Sequence, residues 1–362
     1  MRKASEGRSS FLKKRSKRLL FSGHGPDAWR PWPENKSFLV LFFKKEHAFF
    51  LVLALLSVVP ARAENLAFVI NSNDASVSVI DIGTHQVVRT IPMLREPHHM
   101  ALTPDHRSLV IGDTSGNALF FLDPRTGAVQ RRAVISDPYQ IQYSPNGRYF
   151  TVAGLARNQI DIYDASSLAL LHRIPARSMP SHINYSPDSG RVFVSLQGTD
   201  RVIAIETGSG RVLWDAKVGR TPAGVLWDRG RLLVGIMGEA HIAVVDPVDG
   251  HVERTIPTGR GAHTMFITHD GKLMYATNRI DGTLTVIDPV SLQVLRRLSV
   301  PGGPDDLDFA PDGKIWAALR FAQSVAVIDP STGATERIAV GRSPHGIWLN
   351  THDPLPVAVT QR

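Results

Sequence analysis

The sequence predicts an all-β chain folded as a seven-bladed β-propeller with four antiparallel strands per blade. Three observations predict it. Seven short motifs ("SVSVID", "ALFFLD", "QIDIYD", "RVIAIE", "HIAVVD", "TLTVID", "SVAVID") end on Asp81, Asp123, Asp164, Glu206, Asp246, Asp288 and Asp329, at steps of 40 to 42 residues. A second ladder runs through Pro97, Pro138, Pro180, Pro222, Ala262, Pro304 and Pro344. The last copy is a fragment, "GRSPHGIWLN" at 341–350, which opens a repeat that the remaining residues are too few to complete. Repeats of about 40 residues that each hold several short strands are the mark of propeller blades.

The elements of a blade follow in order. Strand a begins at the Pro ladder. Turns such as "TPDHR", "SPNGR", "SPDSGR", "THDGK" and "APDGK" come next, rich in residues that tolerate turn dihedrals. Strand b follows ("SLVIG", "RVFVS", "KLMYATN"), then a loop, then strand c. Two and four places before each strand-c acid the residue is always apolar, as with Val79 and Val77 or Phe121 and Leu119. That period of two is strand patterning. The acid opens a second turn ("DPRTG", "DPVDG", "DPSTG"), where a carboxylate can accept backbone N–H groups. Strand d completes the blade. No stretch sustains a helical apolar period, and Trp214, Trp227, Trp316 and Trp348 fall on strands, where packing between blades is expected.

Blade 1 is the exception that fixes the ring. "ENLAFVIN" at 64–71 reads as a strand b with no strand a before it. "SPHGIWLN" supplies that strand from the other end of the sequence. The C-terminal strand Ser343–Asn350 should therefore complete blade 1 by pairing near Leu66 to Ile70, which removes an exposed sheet edge. Tyr275-Ala276-Thr277-Asn278, within "DGKLMYATNRIDGTLTVID", resembles the motif that names the YVTN family of seven-bladed propellers. The resemblance covers all seven repeats, residues 64–350, and implies the fold. Related propellers include lactonases of the phosphogluconolactonase type, streptogramin lyases and subunits of quinone-dependent dehydrogenases, so the resemblance implies no single activity.

Charge and composition bound the rest. The chain has no cysteine, which excludes disulfides, thiolate metal sites and covalently attached c-type haem. Residues 1–63 carry 13 Lys and Arg against 4 Asp and Glu, and the remaining residues 28 against 29. The basic pI is thus a property of the leader, and the folded part shows no nucleic-acid footprint. Lys44-Lys45, the apolar run Ala48 to Val59 and Ala61-Arg62-Ala63 read as the three parts of a secretory signal over residues 39–63. The apolar run is too short to span a bilayer. Cleavage after Ala63 would start the mature chain at Glu64, in the periplasm or outside the cell. Residues 1–38 read as a leader of doubtful translation, with the start near Leu39 to Leu41, or as a disordered basic extension. Residues 351–362 read as a tail.

Loops d–a and b–c share one end of such a ring, around the channel mouth. The residue after each ladder position is His98, Tyr139, Ser181, Ala223, His263, Asp305 and His345, and the next adds His99, His182 and Asp306. His263, Asp305, His345 and His98 lie on neighbouring blades once the ring closes. Imidazoles and a carboxylate gathered there can hold a divalent metal such as Zn²⁺ or Fe²⁺, or act as acid and base. Alternation along a strand allows only one of His98 and His99 to face the axis. Arg95, Arg220, Arg260 and Arg342 sit two places before the ladder, and Arg157, Arg279 and Arg320 lie in the b–c loops, a setting suited to an anionic ligand or an acidic protein surface. The expected ligand-binding set is therefore His98, His182, His263, Asp305, His345, Arg95, Arg220, Arg260 and Arg342, with no cofactor required. Three functions are compatible with it: a secreted scaffold that binds a ligand or protein through this end, a lactonase- or lyase-like enzyme with its site there, and an accessory of periplasmic quinone or redox enzymes. No nucleophile elbow, zinc-protease helix, phosphate loop or dinucleotide fingerprint is present in the sequence.

Overall fold

The computed structural model describes residues 65–351, and in them seven separate four-stranded antiparallel sheets follow one another along the chain. The expected signal segment, the basic leader and the tail beyond Thr351 lie outside the described residues. Blade 1 has the order Pro344–Leu349, Leu66–Asn71, Ser76–Asp81, Gln86–Pro92, so its innermost strand does come from the far end of the chain. Ala67 pairs with Leu349, Phe68 with Trp348 and Val69 with Ile347. Asn350 locks the end of this pairing: its backbone N–H donates to Leu66 O at 2.9 Å, and its side-chain oxygen accepts from Leu66 N at 2.6 Å.

The period of two in the sequence becomes a division of side chains between two core layers. Leu66, Phe68 and Ile70 point into the layer shared with blade 2, while Ala67 and Val69 point into the layer shared with blade 7. The same holds around the ring, and each of seven apolar layers fills the space between two neighbouring blades. Middle strands are buried on both faces, as in Leu66–Asn71, whereas the outer strand Gln86–Pro92 buries only Ile91. The strand tryptophans pack as expected. Trp316 is buried, Trp214 and Trp227 flank Phe193 at 5.9 and 5.8 Å, and Trp348 lies 5.8 Å from Phe68.

The ladder acids hold turns. Asp81 Oδ1 accepts from the Thr84 backbone at 2.7 Å, and Asp329 Oδ1 accepts from Ser331 at 2.8 Å. The asparagine that closes the Tyr-Ala-Thr-Asn stretch ties strand b to strand c: Asn278 Nδ2 donates to Thr283 Oγ1 at 3.0 Å and Thr285 Oγ1 at 2.9 Å. Asn71 does the same with Ser76 and Ser78. Blades also meet by direct backbone approach. A Cβ at Gly235 in blade 5 would run into the carbonyl oxygen of His263 in blade 6. Gly235→Ala is therefore expected to push the strand Ala262–Ile267 outward and destabilise the protein by about 1–3 kcal/mol. Urea denaturation measures this, and an unchanged midpoint would show that the two blades can separate freely.

Candidate functional site

The inner strands do not run regularly where they meet the axis. In blade 2, Pro97 faces Asp113 and His99 faces Gly112, so His98 is an extra residue. Corresponding shifts follow Pro180, Pro222, Ala262, Pro304 and Pro344. A bulge breaks alternation and re-aims side chains. The expectation that only one of His98 and His99 faces inward therefore fails. Both are buried, their Nδ1 atoms are 2.9 Å apart, and both rings contact His345, with centroids at 3.9 and 4.6 Å.

Five imidazoles converge as a result. His99 contacts His182 at 5.4 Å, His182 contacts His263 at 4.9 Å, and His263 lies 6.1 Å from His345, which closes the circuit through His99. Blade 5 contributes Ala223 and Gly224 at the matching positions, and these small residues leave room for His182 to reach across to His263. Tyr139 of blade 3 stacks on His98 at 3.9 Å. Its carbonyl oxygen can only accept, so the 2.7 Å contact to His99 Nδ1 places the proton on that nitrogen. Ser181 Oγ lies 3.1 Å from His182 Nδ1. His182 Nε2 and both ring nitrogens of His345 are buried without a hydrogen-bond partner among the described residues.

Beside the imidazoles lies a charged group. Asp305 is fully buried and receives Arg279 from the b–c loop of blade 6 and Arg320 from that of blade 7, the latter at 3.2 Å. His263 Nδ1 is 3.0 Å from the same carboxylate. Asp306 accepts from Thr264 Oγ1 at 3.3 Å and lies 3.9 Å from His345 Nδ1. Burial would raise the Asp305 carboxyl, but Arg279, His263 and Arg320 together outweigh it and hold the group well below the usual carboxylate range. Burial and the neighbouring Asp305 charge push Asp306 up to about 7. Burial lowers His98, His182 and His345 well below the usual imidazole range, helped by the neighbouring rings. It lowers His263 to about 4, with Arg279 adding to the shift, and His99 to about 3 against the opposing Tyr139 bond. At neutral pH the cluster is thus a set of neutral imidazoles, rich in lone pairs, next to one ionised carboxylate clamped by two arginines.

The structure brings together His98, His182, His263, Asp305 and His345 from the expected set. It leaves Arg95, Arg220, Arg260 and Arg342 at the rim. Arg260 pairs with Asp281 at 2.7 Å and Arg342 with Asp74 at 2.5 Å, both largely exposed, and Arg220 pairs with Glu239 at 3.8 Å. Arg95 uses its backbone N–H, which donates to Asp113 at 2.9 Å. Three of these four rim charges are therefore paired, and the arginines that turn inward are Arg279 and Arg320. Sequence reasoning left these two, with His99 and Asp306, outside its site set. Position alone could have found His99 and Asp306, since they directly follow site residues; nothing local distinguishes Arg279 and Arg320 from the other loop arginines. Arg320 also lines a surface recess with Asn73, Phe321, Arg342 and Ser343, so one member of the buried group reaches the outside.

Comparison with known proteins agrees with this architecture. The model of the YNCE-like β-propeller family matches residues 52–355. Hydrazine synthase subunit beta of Kuenenia stuttgartiensis is 27% identical over 257 residues, 59% of this chain and 58% of that protein. The chain thus spans less than two thirds of the length of that relative. A functionally unknown protein from Desulfotomaculum acetoxidans superposes with a TM-score of 0.68 at 14% identity, over 79% of this chain and 98% of its own. The periplasmic gluconolactonase of Pseudomonas aeruginosa superposes with a TM-score of 0.63 at 18% identity, over 78% and 98%. At those identities the two structures speak for the fold alone.

Proposed function

The chain belongs to the YNCE-like β-propeller family, and on that premise we propose that it is a binding protein, exported from the cytoplasm, whose ligand seats in the five-histidine cluster at one end of the propeller axis. One observation carries this reading. His182 Nε2 and both nitrogens of His345 are buried and lack hydrogen-bond partners among the described residues. Leaving a buried polar atom unpaired costs about 1–3 kcal/mol, and native folds rarely tolerate it without a role. Three such atoms in one cluster describe a surface shaped to receive something. The rigid ring supplies the platform, and Arg320 connects the cluster to the recess at its rim.

A second reading has an observation of its own. Asp305 is held ionised while Asp306 sits near 7, and carboxyls pushed apart in this way can serve as base and acid. That would suit a lactonase-like reaction. Its weakness is that Asp305 is already committed to two arginines and a histidine. The binding reading expects no acceleration of glucono-lactone hydrolysis by the purified protein.

Mass spectrometry of untagged protein from the native host tests the proposal. Under denaturing conditions the expected mass starts at Glu64, as export with cleavage after Ala63 requires. Under native conditions a further bound mass is expected, and it should be lost from His345→Ala. A bare polypeptide mass in both proteins would overturn the binding reading.

A further inference from the structure

The chemistry of the cluster narrows what it binds. His98, His99 and His345 each offer a ring nitrogen, and these atoms all lie within 4.8 Å of one another. Nitrogens bound to one transition-metal ion at about 2.0–2.1 Å stand roughly 3 Å apart. From separations of at most 4.8 Å, rotations of the three rings about their side-chain bonds bring the ligating nitrogens to that spacing. We propose that His98, His99 and His345 form a three-histidine site for a borderline divalent transition-metal ion of the Zn²⁺ class. The assignment rests on the binding reading above and names its ligand.

Four features support this donor set over its neighbours. First, every donor is an imidazole, which suits zinc, copper or nickel and does not suit magnesium or calcium, whose ligands are oxygens. Second, His99 is oriented from outside: its Nδ1–H donates to the Tyr139 carbonyl, which fixes the ring and leaves Nε2 with a free lone pair. Third, His345 has both nitrogens unsatisfied, and the carboxylates of Asp305 and Asp306 stand at 3.7 and 3.9 Å from its ring nitrogens, beyond hydrogen-bonding reach. Fourth, Asp305, a ligand by the sequence expectation, is saturated by Arg279, Arg320 and His263. It acts instead as a nearby counter-charge, and His99 takes its place in the set because the bulge at His98 turns both rings inward. Three protein ligands leave a coordination position for water or a further donor.

Calorimetric titration of untagged, EDTA-stripped protein with ZnCl₂ tests the assignment, with MgCl₂ as the comparison ion. The expected result is one saturating equivalent of Zn²⁺ and no saturable Mg²⁺. His345→Ala should weaken Zn²⁺ binding at least roughly 100-fold. His345→Gln keeps the volume and a polar end, and it is measured in parallel with circular dichroism so that loss of binding is read on a folded protein. His251→Ala removes the imidazole from the exposed group of Asp246, His251 and Glu253 on blade 5 and should leave the titration unchanged. Absence of saturable Zn²⁺ binding overturns the assignment, as does binding that survives in a folded His345→Gln but disappears in His251→Ala. If a native bound mass is lost from His345→Ala while Zn²⁺ fails to titrate, the ion is wrong and the binding reading stands.

Discussion

The metal-free propeller is expected to lose stability steeply as the pH falls from 6.5 towards 4. The five clustered histidines cause it. Above pH 6.5 their rings are neutral in the folded and the unfolded chain, so they add no pH dependence there. Below it the unfolded chain takes up protons that the buried rings refuse, and the balance shifts towards unfolding. The loss continues until the pH reaches the folded values, about 4 for His263 and about 3 for His99. Asp306 works in the opposite direction. Between the ordinary carboxylate value and about 7 it keeps a proton that the unfolded chain releases, so its contribution grows as the pH falls. Five protons against one leave a net of four. At about 1.4 kcal/mol per proton and pH unit, the steepest slope is on the order of 5 kcal/mol per unit. Two such units remove about 10 kcal/mol, most or all of an ordinary fold stability of about 5–15 kcal/mol. Urea midpoints measured in EDTA from pH 7.5 down to 5 read the effect directly. A flat midpoint over that range would mean that the rings are hydrated or already charged, and the picture of a dry imidazole cluster would fail.

Asp305→Asn is expected to destabilise the protein by about 3 kcal/mol, the lower end of the range for breaking a buried ion pair. The amide keeps the shape and removes the charge. Arg279 and Arg320, 13% and 25% exposed, then face one another with no anion between them, and His263 loses a charged acceptor. The informative comparison is Arg260→Ala. Arg260 forms a shorter ion pair than Arg320 does, yet it is 72% exposed, and its removal should change stability by less than about 1 kcal/mol. Both are measured by urea denaturation at pH 7.5. Equal effects from the two substitutions would show that the Asp305 group is wet, and that the distinction between rim and interior arginines has no energetic content.

These two experiments separate what could be read locally from what could not. The propeller was legible because its signals are local and repeated. Val77 and Val79 before Asp81, or Leu284 and Val286 before Asp288, carry strand periodicity wherever they occur. The ladder acids carry turn chemistry in the same self-contained way. Closure was legible too, because a strand b without a partner at Leu66 and a strand a without a blade at Pro344 can satisfy their backbone groups only together. The histidine column was visible for the same reason: the ladder repeats, and equal positions in equal blades must converge on the axis.

By itself, then, the sequence determined the blade count, the closing strand and the end of the ring at which the imidazoles gather. The tertiary structure alone decided that His98 and His99 point the same way, that His182 reaches His263 past Ala223 and Gly224, and that Arg279 and Arg320 rather than Arg260 and Arg342 hold the inner carboxylate. The physical reason is the range of the forces involved. Strand period and turn preference are set by each residue's own backbone, whereas a bulge, a buried charge and the choice of its partner depend on which atoms of other blades arrive within a few ångströms. That distance exists only after the ring has closed.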